Sequence, residues 1–593
     1  MNTFTQSPAD SIATLRNRYK HQETTPREVI EEIIERVQAD ADMNVWITPP
    51  SLASLQPYLD GLAQLDPDKA PLWGIPFAVK DNIDVAGICT TAGCPAYAYT
   101  PSKHAAVVER LVAAGAIPLG KTNMDQFATG LVGTRSPYGE THNALKPELI
   151  SGGSSSGSAV AVARGHAIFA LGTDTAGSGR VPAMLNRLVG YKPSLGAWPT
   201  KGVVPACESL DCVTVFAHHL EDALLVDEVV RGVCAEDPWS KHLPIPSPKL
   251  PTRILLPKEP TVFFGQYTES YKHEWQAAIG QLTQMGISIE YVEMDLYVAA
   301  AAMLYEGPWV AERWAALGEF IETHPDAAFP VTERVLRMGA GSNYDAASLF
   351  NAMHQLQALK LAARTQLEDA VLAMPTAGGT WTREEVRQDP IGTNREMGRY
   401  TNHCNLLDLC ALALPTTDAA TNIPFGITLF GLAENEHLIR GVAQRFLCGI
   451  SIAPTTDDLT NPTASNQTDT TAIAVCGLHM RGYPLEKQMQ EFGAQFIREA
   501  ITAPKYQMLK LPTTPAKPGL VRRQSGGAAI ELEIWSMPTA MLGAFVASIP
   551  SPLCIGKIEL QDEEEVSGFL CEAIAAEEAE DITRYGGWRK LPV

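Results

Sequence analysis

The sequence predicts an α/β fold followed by a smaller domain, and three observations carry this prediction. Helix-like and strand-like segments alternate early in the chain, as where HAAVVERLVAAG precedes AIPLG. A length of 593 residues exceeds what one hydrophobic core usually supports. Residues 455–470, TTDDLTNPTASNQTDT, hold almost no large apolar side chains, which is typical of an exposed linker. We therefore place a first domain at residues 1–455, a linker at 456–470 and a second domain at 471–593.

Each element follows from its own apolar pattern. GIPFAV predicts a buried strand that carries Lys80 inward, and AVAVAR, residues 159–164, predicts a helix of small side chains. AIFALGT predicts a second buried strand that ends at a glycine-bearing turn. Further helices are expected at 267–285 and 344–373, and MPTAGG marks another strand end. Beyond the linker, TAIAVCG and AAIELEIWSM have the patterns of two more strands.

Composition and charge argue against several classes of function. The 67 acidic and 46 basic residues give a net charge of -21, which disfavours a nucleic-acid or anionic-membrane partner; simple solubility explains the acidity. The first residues lack the apolar core of a signal peptide, and no uninterrupted apolar run reaches about 18 residues, so we expect a cytoplasmic protein. The 11 cysteines include no CxxC pair and no zinc-site spacing. We therefore expect no disulfide framework, no metal and no cofactor.

Two serines and a lysine lie beside turns that suit catalysis. The run GGSSSGSAVAVA places Ser154 near a helix N-terminus, where free N–H groups and the helix dipole favour developing negative charge. The next strand delivers Asp174 to Ser178 into a second turn, so Ser178 is expected beside the first serine cluster. No histidine adjoins the serines, so activation needs another base, and a buried, neutral Lys80 can serve.

Other interpretations stay open from the residues alone. GGSSSGS is also typical of a flexible linker, although such linkers seldom lie between well-formed apolar elements. Glycine turns before helices bind phosphates as well, but the Lys-Ser or Lys-Thr of a P-loop is missing here. A lysine is ordinarily a solvated surface charge. Residue types by themselves therefore leave catalysis and binding as alternatives.

The three segments together resemble the amidase signature family over roughly the first 455 residues. This resemblance implies a mixed central sheet flanked by helices. It assigns the general base to Lys80, the proton relay to Ser154 and the nucleophile to Ser178, and it implies a cis peptide before the relay serine. The family's oxyanion hole uses backbone N–H groups of the turn into the nucleophile, which here comprises Thr175, Ala176, Gly177 and Ser178.

The proton path sets a requirement on the lysine. Lys80 must be neutral to accept a proton, which calls for a pKa lowered from about 10.4 towards 7 or 8, and burial is the usual cause. Asp81 follows directly, but adjacent strand residues point to opposite faces, so its charge need not be near. Asp174 and Arg180 match family positions that brace the nucleophile loop, and we interpret them as structural.

Substrate identity depends on the segment LYEGPWVAERWAALGEF. Tyr305 and Arg313 lie eight residues apart, so both can face one pocket, although the Gly-Pro pair between them interrupts a helix. Arginine offers a planar fork that matches a carboxylate, and tyrosine adds a hydroxyl group. The alternative is a surface ion pair of Arg313 with Glu312 or Glu319.

This segment, with KTNMDQFATGLVGTRSPYG and NHCNLLDLCALALP, closely resembles the allophanate hydrolase branch of the family. In that branch the tyrosine and arginine hold the substrate carboxylate, and a carbonyl of the FATG turn accepts from a substrate nitrogen. The resemblance thus assigns substrate binding to Tyr305, Arg313 and Gly130. It implies a small anionic ureido acid as substrate, attack by Ser178 on the terminal amide of allophanate, release of ammonia and N-carboxycarbamate, and a homodimer.

Residues 471–593 resemble the extra domain of the same hydrolases, which has a γ-glutamylcyclotransferase-like, α+β and β-barrel-like fold. The motifs are GLHMRGYPL, KPGLVR, IPSPLCIGKIEL and ITRYGGWR. CGLHM alters the cyclotransferase YGSNM turn at Cys476, Leu478 and His479, which argues against cyclotransferase activity. The resemblance associates this domain with decarboxylation of N-carboxycarbamate, and we assign His479 to that step; a packed or surface histidine is the alternative.

Three hypotheses follow. The leading hypothesis is an allophanate hydrolase that acts in the release of nitrogen from urea or a related compound. Its overall products are ammonia and carbon dioxide. The second is an amidase of other specificity or the glutaminase-type component of a tRNA amidotransferase, which Tyr305, Arg313 and the second domain disfavour. The third is a non-catalytic binding protein, which intact Lys80, Ser154 and Ser178 disfavour.

Overall fold

The computed structural model of the protein describes residues 11–244, 247–259, 261–341, 344–449, 470–513, 515–562, 564–576 and 579–591. The chain separates into two compact units, Met1–Ala453 and Pro454–Val593. Residues 456–469 of the predicted linker lie outside the described residues, and Thr470 begins a strand. The domain boundaries therefore remain predictions.

The first unit alternates helices and strands. Its helices are α1 (Ile12–Lys20), α2 (Pro26–Ala39), α3 (Leu52–Gly61), α4 (Ala106–Ala113), α5 (Ser156–Ala163), α6 (Val181–Leu185), α7 (Leu220–Val230), α8 (Thr268–Gln284), α9 (Asp295–Tyr305), α10 (Val310–Thr323), α11 (Pro330–Arg337), α12 (Ala346–Leu367), α13 (Arg383–Gln388), α14 (Gly392–Met397), α15 (His403–Leu406) and α16 (Glu436–Gly449). Its strands are β1 (Trp46–Thr48), β2 (Pro76–Lys80), β3 (Ile117–Thr122), β4 (Phe169–Asp174), β5 (Val189–Lys192), β6 (Cys212–Ala217), β7 (Arg253–Pro257), β8 (Ser288–Val292), β9 (Ala370–Pro375), β10 (Leu409–Pro415) and β11 (Gly426–Leu432).

These strands form one mixed sheet, in the order β1-β3-β2-β4-β6-β5-β10-β11-β9-β7-β8. β2 pairs in parallel with β3 and β4, and β7 pairs in parallel with β8 and β9, whereas the strands between these groups pair antiparallel. Every residue of β2 and β4 is buried, as in strands covered on both faces, and α5 packs against both. The predicted α/β class with a mixed central sheet flanked by helices is confirmed.

The parallel pairing of β2 with β4 sets the position of the candidate site. Val79 lies opposite Leu171 in this pair, so the two strands end close together. Lys80 is the last residue of β2, and Asp174 is the last residue of β4. Because carboxyl ends of parallel strands meet at one edge of a sheet, Lys80 and the turn after Asp174 share that edge.

Most elements lie where the sequence predicts them. α4 and β3 occupy HAAVVERLVAAG and AIPLG, and α8 covers most of residues 267–285. The helix prediction for 344–373 is wrong at its end, because α12 stops at Leu367 and β9 starts at Ala370. Asp369, between them, has φ +50°, a left-handed conformation that interrupts a helix.

A glycine lets α5 lie against the backbone of a neighbouring segment. A Cβ atom on Gly157 would come within 2.3 Å of the Val45 carbonyl oxygen and 2.6 Å of the Asn123 nitrogen. The Gly157 N–H donates to the Asn123 carbonyl at 2.9 Å. This close approach requires glycine, and it seats the serine-rich turn before α5 on the segment after β3.

The second unit is rich in strands. Its elements are β12 (Thr470–Val475), α17 (Glu486–Glu491), β13 (Gln495–Ile501), β14 (Tyr506–Leu511), β15 (Lys517–Arg522), β16 (Glu531–Pro538), α18 (Thr539–Ala547), β17 (Leu553–Glu559), β18 (Glu565–Cys571), α19 (Ala573–Ala576) and β19 (Glu580–Asp581). One sheet has the order β13-β16-β12-β18-β17, and a second has the order β15-β14-β19. The predicted smaller domain of mixed, β-rich structure is confirmed.

Two kinds of feature are absent from the part of the chain that the structure describes. Among these residues, no helix combines the length and apolar character of a membrane span. The same residues contain no group of three or more His, Cys, Asp and Glu side chains arranged to hold a metal ion.

Candidate active site

Lys80 ends β2 with its side chain fully buried. Its Nζ donates to Ser154 Oγ at 2.8 Å and to Thr173 Oγ1 at 2.6 Å. Thr173 lies one residue before the end of β4, so strand pairing brings the lysine and the threonine together. The structure thus joins the predicted base to the predicted relay serine, and it adds a threonine that the sequence motifs did not single out.

Burial is the dominant influence on the charge of Lys80. It lowers the pKa of this lysine to about 7. The negative charges of Asp125, Asp211 and Asp174 act in the opposite direction, but desolvation is the larger effect. A substantial fraction of Lys80 is therefore uncharged near neutral pH, which a general base requires.

Asp81 is the first residue after β2, and its carboxylate has partners other than Lys80. Its carboxylate accepts hydrogen bonds from the N–H groups of Thr91 and Gly93, each at 3.1 Å. Its Oδ1 lies 3.4 Å from Nζ of Lys121, a second fully buried lysine. The carboxylate next in sequence to Lys80 is thus paired with a different ammonium group.

Asp125 holds the turn that carries Ser154. The Gly153–Ser154 peptide bond is cis, as the family resemblance implies. The N–H of Asp125 donates to the Ser154 carbonyl at 3.0 Å. The Asp125 carboxylate accepts from the N–H groups of Gly133 at 3.0 Å and Arg135 at 2.8 Å. The relay serine and the segment 125–135 therefore form one hydrogen-bonded unit.

Ser178 lies in a turn that Asp174 organises, with 3% of its surface exposed. The Asp174 carboxylate accepts hydrogen bonds from the N–H groups of Gly177 at 2.8 Å and Gly179 at 3.0 Å. It also receives two from the Arg180 guanidinium, both at 2.9 Å. These contacts agree with the bracing role expected of Asp174 and Arg180.

The N–H groups expected in the oxyanion hole differ in availability. That of Gly177 is engaged with the carboxylate that braces the turn. Among the described residues, no acceptor pairs with the N–H groups of Thr175, Ala176 or Ser178. Gly177 has φ +139°, and a Cβ there would lie 2.3 Å from Thr401 Oγ1, so this position requires glycine. Three of the four N–H groups are thus unpaired among the described residues, and the fourth shapes the turn.

Asp211 is a buried carboxylate that the sequence motifs did not single out. It accepts a hydrogen bond from Thr175 Oγ1. On its other side it accepts from the N–H groups of Ala206 at 2.7 Å and Cys207 at 3.2 Å. Burial raises the pKa of Asp211 to about 6. Asp211 therefore links the turn before Ser178 to the segment 206–207.

Tyr305 and Arg313 come into contact across a break between two helices. α9 ends at Tyr305, and α10 carries Arg313, whose guanidinium carbon lies 5.5 Å from the centre of the tyrosine ring. Arg313 Nη1 donates to Thr129 Oγ1 at 3.0 Å. Only 1% of Arg313 is exposed, and Glu312 accepts hydrogen bonds from Ser209 instead. The alternative of a surface ion pair for Arg313 is therefore wrong.

Gly130 follows Thr129 in the turn that begins near Asp125. It is buried, and a Cβ on it would lie 2.6 Å from Asp125 Oδ2. The carboxylate of Asp125, whose N–H bonds to the Ser154 carbonyl, thus also packs against Gly130. Because Arg313 bonds to Thr129, the segment 125–130 connects the expected substrate-binding residues to the relay serine.

His479 lies in the second unit, in the turn after β12. Its Nε2 forms a hydrogen bond with Gln488 Oε1 at 2.9 Å, and its ring stacks on Phe569 with ring centres 4.8 Å apart. Burial lowers the pKa of His479. The ring lines a small cavity, together with Cys476 and Lys517 among others. His479 is therefore packed on one side and borders a small cavity on another.

Comparison with known proteins places the chain in a family. The family model described as Amidase matches residues 28–439, and the one described as Allophanate hydrolase C-terminal domain matches residues 471–592. A urea amidolyase of Saccharomyces cerevisiae is 38% identical over 591 residues, which is 95% of this chain and 32% of that protein. The chain thus spans about a third of the length of the urea amidolyases that it matches.

Two further relatives bear on the assignment. The solved structure of selenomethionine-substituted Kluyveromyces lactis allophanate hydrolase is 37% identical, with 98% of each chain covered and a TM-score of 0.70. A glutamyl-tRNA(Gln) amidotransferase component from Methylacidiphilum infernorum is 30% identical over 499 residues, 77% of this chain and 98% of that protein. The resemblance predicted from the motifs is confirmed. The chain belongs to the amidase family and carries at its carboxyl end the C-terminal domain of allophanate hydrolases.

Proposed function

We propose that this chain is an allophanate hydrolase that forms ammonia and carbon dioxide overall. The observation that carries the proposal is the hydrogen bond from Nζ of the buried Lys80 to Ser154 Oγ, at 2.8 Å. The segment 125–130 connects this pair to the buried Arg313. Lysine and serine supply amide-cleaving chemistry, and arginine selects a carboxylate. The similarity to the Kluyveromyces lactis enzyme over 98% of each chain supports the same activity.

In the first step, Ser178 attacks the terminal amide carbon of allophanate. Neutral Lys80 takes the proton of Ser154 as Ser154 takes that of Ser178, so the nucleophile loses its proton while the new C–O bond forms. The N–H groups of Thr175, Ala176 and Ser178 stabilise the negative charge that develops on the carbonyl oxygen. The proton then returns along the same path to the leaving nitrogen, which departs as ammonia.

Recognition of the substrate rests on its charged end. The Arg313 guanidinium binds the carboxylate of allophanate in a fork, and the Tyr305 hydroxyl adds a further donor. The Gly130 carbonyl accepts a hydrogen bond from a substrate nitrogen. A neutral amide of the same length makes the contact with the Gly130 carbonyl but has no carboxylate for Arg313, so it binds less well.

The second half of the reaction follows from the product of the first. Water cleaves the covalent intermediate by the same proton path, and the product N-carboxycarbamate carries two carboxylates. We assign its decarboxylation to the cavity of the second unit, with His479 assisting. The C–N bond breaks, carbon dioxide leaves, and the nitrogen keeps the electron pair and gains a proton. Lys517 borders the same cavity and supplies positive charge for a dianion.

An amidase of other specificity, or a glutaminase-type amidotransferase component, is the second candidate. The similarity to the Methylacidiphilum infernorum protein over 77% of this chain favours it. That match leaves part of the chain uncovered, whereas the match to the allophanate hydrolase structure covers 98% of it. Arg313 argues against an amidase for neutral amides, but glutamine carries a carboxylate that this arginine also suits. Substrate choice therefore separates the two candidates.

The decisive assay offers the purified protein allophanate, urea, malonamate, glutamine and a simple aliphatic amide, and measures ammonia and carbon dioxide. We expect both products from allophanate and neither from urea or the aliphatic amide. Ser178→Ala provides the inactive control. Release from glutamine without release from allophanate supports the second candidate, and no release from allophanate overturns the leading proposal.

We further propose that the enzyme is a cytoplasmic homodimer that binds neither nucleic acid nor a membrane. All 11 cysteines are free, which fits a reducing compartment. The dimer rests on the family resemblance. Light scattering on the protein as it elutes from a size-exclusion column measures its mass in solution. A mass near that of one chain, 64.1 kDa, contradicts the dimer, and twice that mass supports it.

A further inference from the structure

A second buried arginine lies beside the carboxylate-binding arginine. Arg135 is 3% exposed and belongs to the segment GTRSPYG. Its Nη1 donates to the Thr129 carbonyl at 2.9 Å, and its Nη2 donates to the Pro390 carbonyl at 2.6 Å. Arg313 donates to the hydroxyl of the same Thr129 at 3.0 Å. Because both bonds end on one residue, the two guanidinium groups are close neighbours.

Neither positive charge is neutralised by direct pairing. Across the described residues, no carboxylate forms an ion pair with Arg135 or Arg313, and Nε of each is buried with no hydrogen-bond partner. Asp125 lies nearby, but its oxygens accept bonds from backbone N–H groups. The carboxylates of Asp125 near Arg135 and of Asp211 and Glu312 near Arg313 offset part of this charge without direct contact. Two buried cations in one place still repel each other, so an anion bound between or beside them is favoured.

We propose that Arg135 is a positioning residue of the subsite that binds the substrate carboxylate. In this role it helps to set the preference of the enzyme for anionic amides. Its charge adds to that of Arg313, and its bond to the Thr129 carbonyl orients the turn that presents Gly130. The inference deepens the proposed function, since the ligand class is that of the proposed substrate. The ligand of this subsite is a short molecule with an amide at one end and a carboxylate at the other.

A purely structural role is the competing explanation. In that case Arg135 only ties the turn at Thr129 to the loop at Pro390, through two carbonyl groups. Loss of this tie weakens anionic and neutral ligands alike. Loss of the charge weakens the anionic ligand selectively, and lysine in place of arginine retains the charge without the fork.

The test measures binding by calorimetry to protein that carries Ser178→Ala, with malonamate as the anionic probe and malonamide as the neutral one. We expect Arg135→Gln to weaken malonamate binding roughly 10- to 100-fold and malonamide binding less than about threefold. Arg135→Lys should keep most of the preference for malonamate. Arg110→Gln is the matched control, because Arg110 also donates to backbone carbonyls, those of Val230, Gly232 and Val233.

Several results would overturn the inference: equal weakening of both probes by Arg135→Gln, no weakening, or no binding of malonamate to the Ser178→Ala protein. If the glutamine variant does not fold, Arg135→Lys decides, and loss of its preference for malonamate overturns the inference. Turnover is a separate arm with wild-type protein. Charge-selective binding without ammonia from allophanate contradicts the proposed function and leaves the inference standing.

Discussion

Removal of the Thr173 hydroxyl group tests whether Lys80 is the base that titrates. Thr173 Oγ1 accepts a hydrogen bond from Lys80 Nζ at 2.6 Å. Such a bond stabilises the ammonium more than the neutral amine, because charge strengthens it. Thr173→Val keeps the shape of the side chain. It also keeps the bonds between the backbone of residue 173 and Ser155 Oγ. The change therefore removes one oxygen, which accepts from Lys80 and, at 3.4 Å, from Asn82 Nδ2.

The expected size of the effect follows from hydrogen-bond energies. A bond to a charged group contributes roughly 1.5 to 3 kcal/mol, against about 1 kcal/mol for a neutral one. The variant therefore loses roughly 0.5 to 2 kcal/mol of preference for the ammonium form. Burial already lowers the pKa of Lys80 to about 7. Since 1.36 kcal/mol corresponds to a tenfold change in protonation, the acidic midpoint of activity should move down by about one pH unit.

The assay follows kcat/KM for ammonia release from allophanate across pH, with a blank for spontaneous breakdown. This parameter reports the free enzyme. Thr214→Val is the matched control, because Thr214 lies opposite Gly172 on the neighbouring strand and its buried hydroxyl has no partner among the residues described. An unmoved midpoint in Thr173→Val, or an equal movement in Thr214→Val, would refute the assignment of the acidic limb to Lys80.

Four further outcomes are expected. Ser178→Ala reduces ammonia release to background with thermal unfolding unchanged; retained turnover excludes Ser178 as the nucleophile. Arg313→Ala lowers kcat/KM for allophanate at least tenfold more than for its neutral analogue biuret; equal losses contradict the carboxylate contact. His479→Ala leaves the first ammonia release intact and slows carbon dioxide release; unchanged carbon dioxide kinetics remove His479 from that step. Folding lowers the pKa of Lys80, so between about pH 7 and 10 the unfolded chain binds the extra proton and stability rises with pH. The free energy of unfolding of the wild type, measured by urea titration, should therefore rise by about 4 kcal/mol relative to that of Lys80→Met over this pH range. A difference that stays constant with pH would contradict the lowered pKa of Lys80.

The parts of the site that sequence predicts are those whose geometry is local. The glycine-serine run leads directly into α5, and the turn with Ser178 follows β4 without a long loop. The contact between Lys80 and Ser154 spans 74 residues, and it is expected from the resemblance to the family rather than from spacing. Within each single motif, the residues that come together are close in sequence. A match to the family's pattern therefore also predicts their geometry.

The residues that sequence missed act on partners that tertiary structure supplies. Thr175 and Asp211 are 36 residues apart, and Arg135 bonds to Pro390 across 255 residues. No spacing rule connects such positions. Thr173 lies within a motif, but its bond to Lys80 depends on the register of β2 against β4. Register and strand order follow from packing of the whole sheet, which local patterns do not encode.

The strand order of the first unit illustrates the same limit. Alternating segments predict an α/β class, yet β5, β6, β10 and β11 pair antiparallel in the middle of the sheet. The helix boundary at Leu367 is hard to predict because neither a proline nor a glycine separates α12 from β9; only Glu368 and Asp369 lie between them. The turn there depends on a left-handed Asp369, a conformation that many sequences tolerate without signalling it.

The different surroundings of Lys80 and Asp81 make the end of β2 critical to the proposed chemistry. Lys80 is the last residue of the strand and contacts the relay serine, whereas Asp81, directly after the strand, lies beside Lys121. A slip of one residue that moved Asp81 into the place of Lys80 would deliver a carboxylate to the serine relay. Deletion of one residue within this strand should therefore abolish the proposed amide hydrolysis, although every residue of the candidate site remains in the chain.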